Sequence, residues 1–334
     1  MQRAANSARW AQELNSELQR EHSVGLKALD LFCGAGGLSL GFWASGFDVM
    51  GIDKNTDAVR TYAGNLGNAI CETLDENTAL PRADLILAGP PCQPWSRAGK
   101  RLGERDERDG LRLVALAMKR VQPVAAVIEN VPDLARSRER RHLDDFKTLL
   151  AKLGYAVAEH VLNAANYGVP QNRRRIFVSA IADGVPLSPP EPWPRTITVR
   201  EAIPETCERQ LPGARTLSEG MSAYIKRYEN ASGCRTPRDL HLHLPARTLT
   251  VRNLSGATGD MIRLRLPDGR RRMLTPREAA RLQSFPDWFR FAGSDRSQLA
   301  QIGNSVPPLL ARAVAQSMLK RVSSQSTHSA VSYS

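Results

Sequence analysis

From Lys27 onward, short apolar runs alternate with helical patterns, and this alternation restricts the chain to few folds. "ALDLF" (28–32), "VMGID" (49–53), "DLILAG" (84–89), "VAAVIEN" (124–130) and "RIFVSAI" (175–181) read as buried strands. Helical periodicity falls near 38–45, 57–65, 110–121 and 144–153. Strands separated by helices specify a doubly wound, mostly parallel α/β sheet with helices on both faces. Ligands of such sheets bind outside the carboxyl ends of the strands. Residues with chemistry stand at those ends: "CGAGG" after the first run, Asp53 closing the second, "PPCQ" after the third, and Glu129 closing the fourth.

The alternation stops near residue 185. "GVPLSPPEPWPR" is proline-rich and reads as a linker. Residues 195–270 are irregular and rich in arginine, which predicts a second, smaller domain with long loops; a disordered insertion is the alternative. Order returns at "LTPREAARLQSFPDWF" (274–289). Thr275 suits an N-cap, Pro276 the first helical position and Glu278 the far side of a capping box, with Pro286 expected to end the helix. Residues 301–319 read as a turn and then a helix. Residues 1–26 read as an appended N-terminal helix, with Trp10, Leu14 and Leu18 on one face, and 321–334 as a loose, Ser-rich tail.

Of 334 residues, 46 are Lys or Arg and 34 Asp or Glu, a formal charge of +12. Such an excess favours a polyanionic partner, nucleic acid first. The five cysteines, Cys33, Cys71, Cys92, Cys207 and Cys234, form neither an even disulfide set nor a metal-ligand spacing. No metal site is expected, and a reducing cytoplasm is the expected compartment. His241 and His243 lack ligand partners at suitable spacing and read as surface residues. No apolar run approaches the roughly 18 residues of a membrane helix.

Two loops carry the functional signal. In "DLFCGAGGLSLG", Gly34, Gly36 and Gly37 link a strand to a helix, and Asp53 closes the next strand 23 residues after Asp30. That is the arrangement by which nucleotide-binding folds hold a ribose. The third glycine of G-x-G-x-x-G is replaced by Ser39. A pyrophosphate wants that glycine; an adenosine carrying a sulfonium does not, which turns the reading from NAD to S-adenosylmethionine. In "GPPCQPWS" (89–96), prolines stiffen a loop around Cys92. A thiol aimed in this way suits a nucleophile, although a buried cysteine in a tight turn would look the same.

With these residues in view, the chain resembles the DNA (cytosine-5) methyltransferase family across roughly residues 27–318. "DLFCGAGG" (30–37) resembles its cofactor loop, "GPPCQPWS" its nucleophile loop and "ENV" (129–131) its base-holding motif. "QNRRRIF" (171–177), "LTPREAARLQSFP" (274–286) and "GNSV" (303–306) resemble the later motifs, in the family's order. The resemblance implies a Rossmann-like, S-adenosylmethionine-dependent catalytic domain at 27–185 plus 300–320. It implies an inserted target-recognition domain at 186–271 and a hinge at 272–299. Cys92 is the implied nucleophile and Glu129 the residue facing the cytosine ring. Arg175 is implied at the base, and Arg173 either in support or on phosphate. Phe32, Gly34, Gly36, Gly37, Asp53, Pro90, Asn304 and Val306 are implied at the cofactor. The implied partner is duplex DNA, met by a monomer that is either linked to a separately acting restriction endonuclease or solitary.

The match has gaps. Asp53 replaces a more common glutamate, and the exposed-type Lys54 stands where an apolar residue is usual. The acid expected near the adenine amino group has no clean counterpart, and Glu72 in "AICETL" is the nearest candidate. A tRNA methyltransferase of the same fold, a silent DNA-binding relative and an NAD-linked oxidoreductase are the rival readings. The Cys-Phe-Thr motif of the tRNA branch is not found, and the broken glycine fingerprint counts against NAD.

Overall fold

The computed structural model describes residues 2–20, 22–91, 110–136, 140–182, 184–233, 238–256 and 259–329. The chain divides into two compact units. The larger comprises Gln19–Asn163, Arg174–Pro192 and Leu310–Ser334; the smaller comprises Met1–Leu18, Ala164–Arg173 and Trp193–Leu309.

In chain order, the elements begin with helix α1 (Gln2–Glu17) of the smaller unit. The larger unit then runs β1 (Lys27–Leu31), α2 (Gly37–Ala44), β2 (Asp48–Asp53), α3 (Thr56–Leu66), β3 (Ala69–Cys71), β4 (Leu85–Ala88), α4 (Gly110–Val121), β5 (Ala125–Asn130), α5 (Arg140–Lys152) and β6 (Ala156–Asn163). After β7 (Gln171–Asn172) in the smaller unit comes β8 (Arg174–Ile181). The seven-stranded sheet has the order β3-β2-β1-β4-β5-β8-β6. Its first five strands are parallel, and β8 runs antiparallel to both β5 and β6. The central strands are buried on both faces, so they read as near-continuous apolar runs. The apolar faces of α4 and α5 pack Val114, Met118, Phe146 and Leu150 onto the sheet's core.

The register aligns the strand ends in one row. Leu31 pairs with Ile52 and with Ala88, and Ala88 pairs with Ile128. The next residues along, Asp53, Phe32, Gly89 and Glu129, therefore lie side by side at one edge of the sheet. Two helices approach closely at Gly41, where a Cβ would fall 2.3 Å from the Arg312 backbone nitrogen.

The smaller unit contains α6 (Val199–Ala202), α7 (Glu219–Ala231), β9 (Ala246–Arg247), α8 (Val251–Leu254), β10 (Arg263–Arg265), β11 (Arg271–Met273), α9 (Pro276–Leu282) and α10 (Asp295–Asn304). Its apolar cluster around Ile225, Met261 and Met273 is small. Buried ion pairs supplement it: Arg263 binds Glu229 and Asp239, and Arg272 grips Glu278 with both terminal nitrogens. Burial alone would raise the Glu278 carboxyl, but the Arg272 hydrogen bonds hold it below its ordinary range.

Several boundaries differ from the sequence expectation. The N-terminal helix is no appendage, because Trp10, Leu14 and Leu18 are fully buried and the Trp10 indole donates to the Gly168 carbonyl. Residues 272–309 belong with the smaller unit, and 186–192 with the larger. Thr275 and Glu278 do form the capping box, but α9 stops at Leu282. Ser284 then adopts the left-handed conformation, two residues before Pro286. Residues 301–304 are the last turn of α10 rather than a loop. The C-terminal helix α11 (Pro308–Ser329) continues far into the expected loose tail. Strand β6 went unread because an edge strand is half-exposed and mixes Glu159 and His160 into its apolar pattern.

Candidate active site

The row of strand ends builds the site in the larger unit. At its first position β1 runs into the glycine loop. Phe32 adopts φ 60°, an unusual left-handed conformation for an aromatic residue. Gly34 and Gly36 share that region, with φ 53° and 90°, and Gly36 caps α2. This winding brings the Gly34 N–H onto Asp53 Oδ2 at 2.9 Å, while Asn55 N–H donates to Oδ1 at 2.8 Å. Asp53 is thereby fixed at the loop, with lone pairs remaining on both oxygens. Phe32 is half-buried against the sheet core. Glu72 stands just past β3, its N–H donating to the Asp53 carbonyl and its side chain exposed.

Beneath the loop lies a buried polar chain. Tyr62 Oη donates to Ser39 Oγ at 2.9 Å, and Ser39 Oγ donates to Asp30 Oδ2 at 2.6 Å. Burial pushes the Asp30 carboxyl up to about 7, against the Ser39 hydrogen bond and with the Asp53 charge adding to the rise. Burial also pushes the Cys33 thiol and the Tyr62 hydroxyl up. Gly51 makes room for this packing; a Cβ there would meet Cys33 Sγ at 2.6 Å and the Tyr62 ring at 2.8 Å.

At the far end of the row, Glu129 Oε1 meets Arg175 Nε at 2.9 Å, each side chain only 12% exposed. Glu129 pairs with Phe177 across the antiparallel β5–β8 ladder, and Arg175 lies two residues from Phe177 on the same face. Such a diagonal neighbour is within reach of a long side chain. Asn130 locks the adjoining loop: its Nδ2 donates to the Pro90 carbonyl at 3.2 Å, and its Oδ1 accepts from Val131 N–H. Pro90 is buried, and Gly110 clears space for it. Cys92, two residues on, lies outside the described residues.

The remaining candidates fall in the smaller unit. Arg173 is buried and donates to the carbonyls of Leu249, Gly303 and Ser305 at 2.6, 3.1 and 3.0 Å. It therefore braces backbone rather than facing phosphate. Asn304 is exposed at the end of α10, and Val306 is buried. The arginines of the smaller unit also divide. Arg263 and Arg272 are buried in ion pairs, whereas Arg215, Arg227, Arg252, Arg265 and Arg270 are exposed.

Sequence reading missed Asn130 and the Asp30–Ser39–Tyr62 chain. Asp30 carried a signal, since a charged residue inside a doubly buried strand needs a partner. Among the described residues no cluster of His, Cys, Asp or Glu is placed to hold a metal ion. No described helix is long and apolar enough to cross a membrane.

Comparison with known proteins accords with this geometry. The model of the C-5 cytosine-specific DNA methylase family matches residues 26–209 and 193–320. Type II methyltransferase M.AplI of Arthrospira platensis is 48% identical over 308 residues, covering 92% of this chain and 88% of that protein. Type II methyltransferase M.DsaV of Dactylococcopsis salina is 32% identical over 311 residues, covering 89% and 87%. Among solved structures, a DNA modification methyltransferase encoded within an E. coli prophage superposes with TM-score 0.65 at 25% identity, over 89% of this chain and 99% of that one. The S. pombe Dnmt2 methyltransferase shares the fold, with TM-score 0.68 at 19% identity over 89% and 99%. A chain with this strand-end row, these ordered motifs and these relatives belongs to the C-5 cytosine-specific DNA methylase family.

Proposed function

We propose that the chain methylates C5 of a cytosine within a short, specific sequence of duplex DNA, with Cys92 as nucleophile, Glu129 at the cytosine ring and S-adenosylmethionine as methyl donor. The observation that carries this reading is the Arg175–Glu129 pair. It sets a carboxylate at the strand end beside Gly89 and Pro90, and Cys92 follows two residues later in the sequence. The C5 carbon of cytosine is too weak a nucleophile to take a methyl group unaided. Addition of the Cys92 thiolate to C6 makes C5 an enamine carbon. Glu129 holds a proton at N3 and neutralises the charge that develops on the ring. Arg175 keeps the Glu129 carboxyl aimed. Once C5 is methylated, its proton leaves, the C6–sulfur bond breaks and the thiolate of Cys92 is restored.

The residues of the glycine loop fit the donor. Asp53 offers carboxylate lone pairs to ribose hydroxyls, Phe32 an aromatic face to adenine, and Gly34 backbone with no Cβ in the way. When bound, S-adenosylmethionine supplies an electrophilic methyl group on a sulfonium. Gly36, Gly37 and Pro90 complete its surroundings, Glu72 is the candidate for the adenine amino group, and the likeness of "GNSV" to a family motif is what assigns Asn304 and Val306 to the donor. The target base must leave the duplex stack, at a cost of a few kcal/mol. Exposed arginines of the smaller unit offset that cost on phosphate, and this unit reads the sequence. The enzyme acts as a monomer in the cytoplasm, alongside a separate restriction endonuclease; likeness to a type II methyltransferase supports the pairing.

Bisulfite sequencing of DNA from cells expressing the protein tests the reading. Protected cytosines should share one short sequence context. A 5-fluorocytosine duplex containing that context should trap the wild-type protein covalently, because no proton can leave C5. Trapping that persists in Cys92→Ser would remove Cys92 from its role.

A further inference from the structure

Asp30 is 1% exposed, and its two oxygens have different surroundings. Oδ2 accepts from Ser39 at 2.6 Å, the short distance typical of a hydroxyl on an ionised carboxylate. Oδ1 is buried with no hydrogen-bond partner. Ionised, the carboxylate is served by one donor, and the chain runs Tyr62 to Ser39 to Asp30. A proton added on Oδ1 would find no acceptor. A proton added on Oδ2 would reverse one bond: Ser39 would accept from Asp30 while still accepting from Tyr62 on its second lone pair, and its own hydroxyl hydrogen would need a new acceptor. The two protonation states therefore demand different hydrogen bonding at Ser39 on α2, the helix that follows the Phe32–Gly37 loop. The loop itself is wound tightly, with Phe32, Gly34 and Gly36 all at positive φ.

We propose that Asp30 is a positioning residue for the methyl donor: through Ser39 and Tyr62 it sets the geometry of the Phe32–Gly37 loop, and donor binding drives its carboxyl into the ionised form. The proposal rests on the reading of this loop as the donor site. The groups facing Asp30 are Asp53 at the end of β2, Cys33 in the loop and Tyr62 on α3. All three are neutral or negative, so among the described residues no cation balances the buried carboxylate. Burial holds a proton on Asp30 up to about neutral pH. A sulfonium cation held by the same loop supplies the missing positive charge and favours proton release. By reciprocity, donor affinity then rises as pH rises through the titration of Asp30.

The test is isothermal titration calorimetry of the full chain with S-adenosylmethionine from pH 5.5 to 8.5, in buffers of different ionisation enthalpy. The wild type should release a fraction of a proton near pH 7, and its affinity should rise about tenfold from pH 6 to 8. S-adenosylhomocysteine, which lacks the sulfonium charge, should show a weaker slope. Asp30→Asn should flatten the pH dependence. Ser39→Ala removes the donor to the anion, and with it the acceptor of Tyr62, and should move the midpoint upward, an effect that simple loosening of the fold would not give. A flat wild-type profile, or an Asp30→Asn profile with the wild-type slope, would overturn the proposal. Failure of the wild type to bind either compound would instead overturn the reading of the loop, and this proposal with it.

Discussion

Replacing Arg175 by Met keeps volume and removes the guanidinium from Glu129. The pair is close, 2.9 Å, and each side chain is only 12% exposed, so solvent screens the abandoned carboxylate weakly. Removing one member of such a pair costs about 3–5 kcal/mol if the other stays charged. The carboxyl has an escape, which is to take a proton. For an ordinary glutamate that costs about 3.7 kcal/mol at pH 7 and about 1.6 kcal/mol at pH 5.5, at 1.36 kcal/mol per unit. The loss of stability in Arg175→Met should therefore be about 3–4 kcal/mol at pH 7 and about half that at pH 5.5. Adding Glu129→Gln should recover part of the loss at pH 7, because no charge is then left behind. Urea denaturation followed by circular dichroism, for wild type, both single variants and the double variant at both pH values, measures each term. A loss that does not change with pH, or one below about 0.5 kcal/mol at pH 7, would refute the claim that Arg175 balances a buried Glu129 carboxylate.

Gly41→Ala should destabilise the larger unit by about 1–3 kcal/mol or more, because the new methyl meets the Ala311–Arg312 backbone, which cannot rotate away; a melting temperature within a degree of wild type would contradict this. Arg173→Gln should lower stability while leaving the salt dependence of DNA binding unchanged, since a side chain spent on three carbonyls releases no counterions. A shallower salt slope in a binding titration would return Arg173 to the phosphates. Asp53→Ala should raise the KM for the donor about ten- to a hundredfold with kcat nearly restored at saturation, because the lost bonds act in ground and transition states alike; initial rates against donor concentration decide it.

The sheet core was legible because buried strands announce themselves as unbroken apolar runs, and β1, β2, β4, β5 and the antiparallel β8 all do so. The loops were legible for a related reason: glycines and prolines at strand ends mark places where backbone must turn in one way. What escaped notice depends on partners far away in sequence. Helix α1 looked like an appendage because nothing local reveals that Trp10 finds its acceptor at Gly168. The arginines of the smaller unit were one undifferentiated excess of charge in the sequence, yet Arg263 and Arg272 are anchored by Glu229, Asp239 and Glu278. A small apolar cluster leaves ion pairs to define the packing there, and residue type alone does not say which arginine is buried. Asp53 was identified from its position, but its attachment to the Gly34 N–H follows from the register of β1 on β2, which spacing does not give.

The position of Arg175 shows how strand direction shapes the chemistry. Parallel strands β1, β2, β4 and β5 all present carboxyl ends at the same edge, so Asp53, Phe32, Gly89 and Glu129 arrive there from the same direction. A further parallel strand would bring its last residues to that edge, with a helical crossover before it. Because β8 is antiparallel, it brings its first residues instead, and Arg175 meets Glu129 at the start of the strand. The ladder makes Glu129 the partner of Phe177, and alternation puts Arg175 on the same face two residues away. A slip of one residue in the β5–β8 register would turn Arg175 to the opposite face and leave the carboxylate without its cation. The buried run Ile176–Ile181 resists that slip, since the same shift would exchange the environments of its alternating side chains on the two faces. The apolar residues of β8 thus hold the ion pair in place, although none of them touches the reaction.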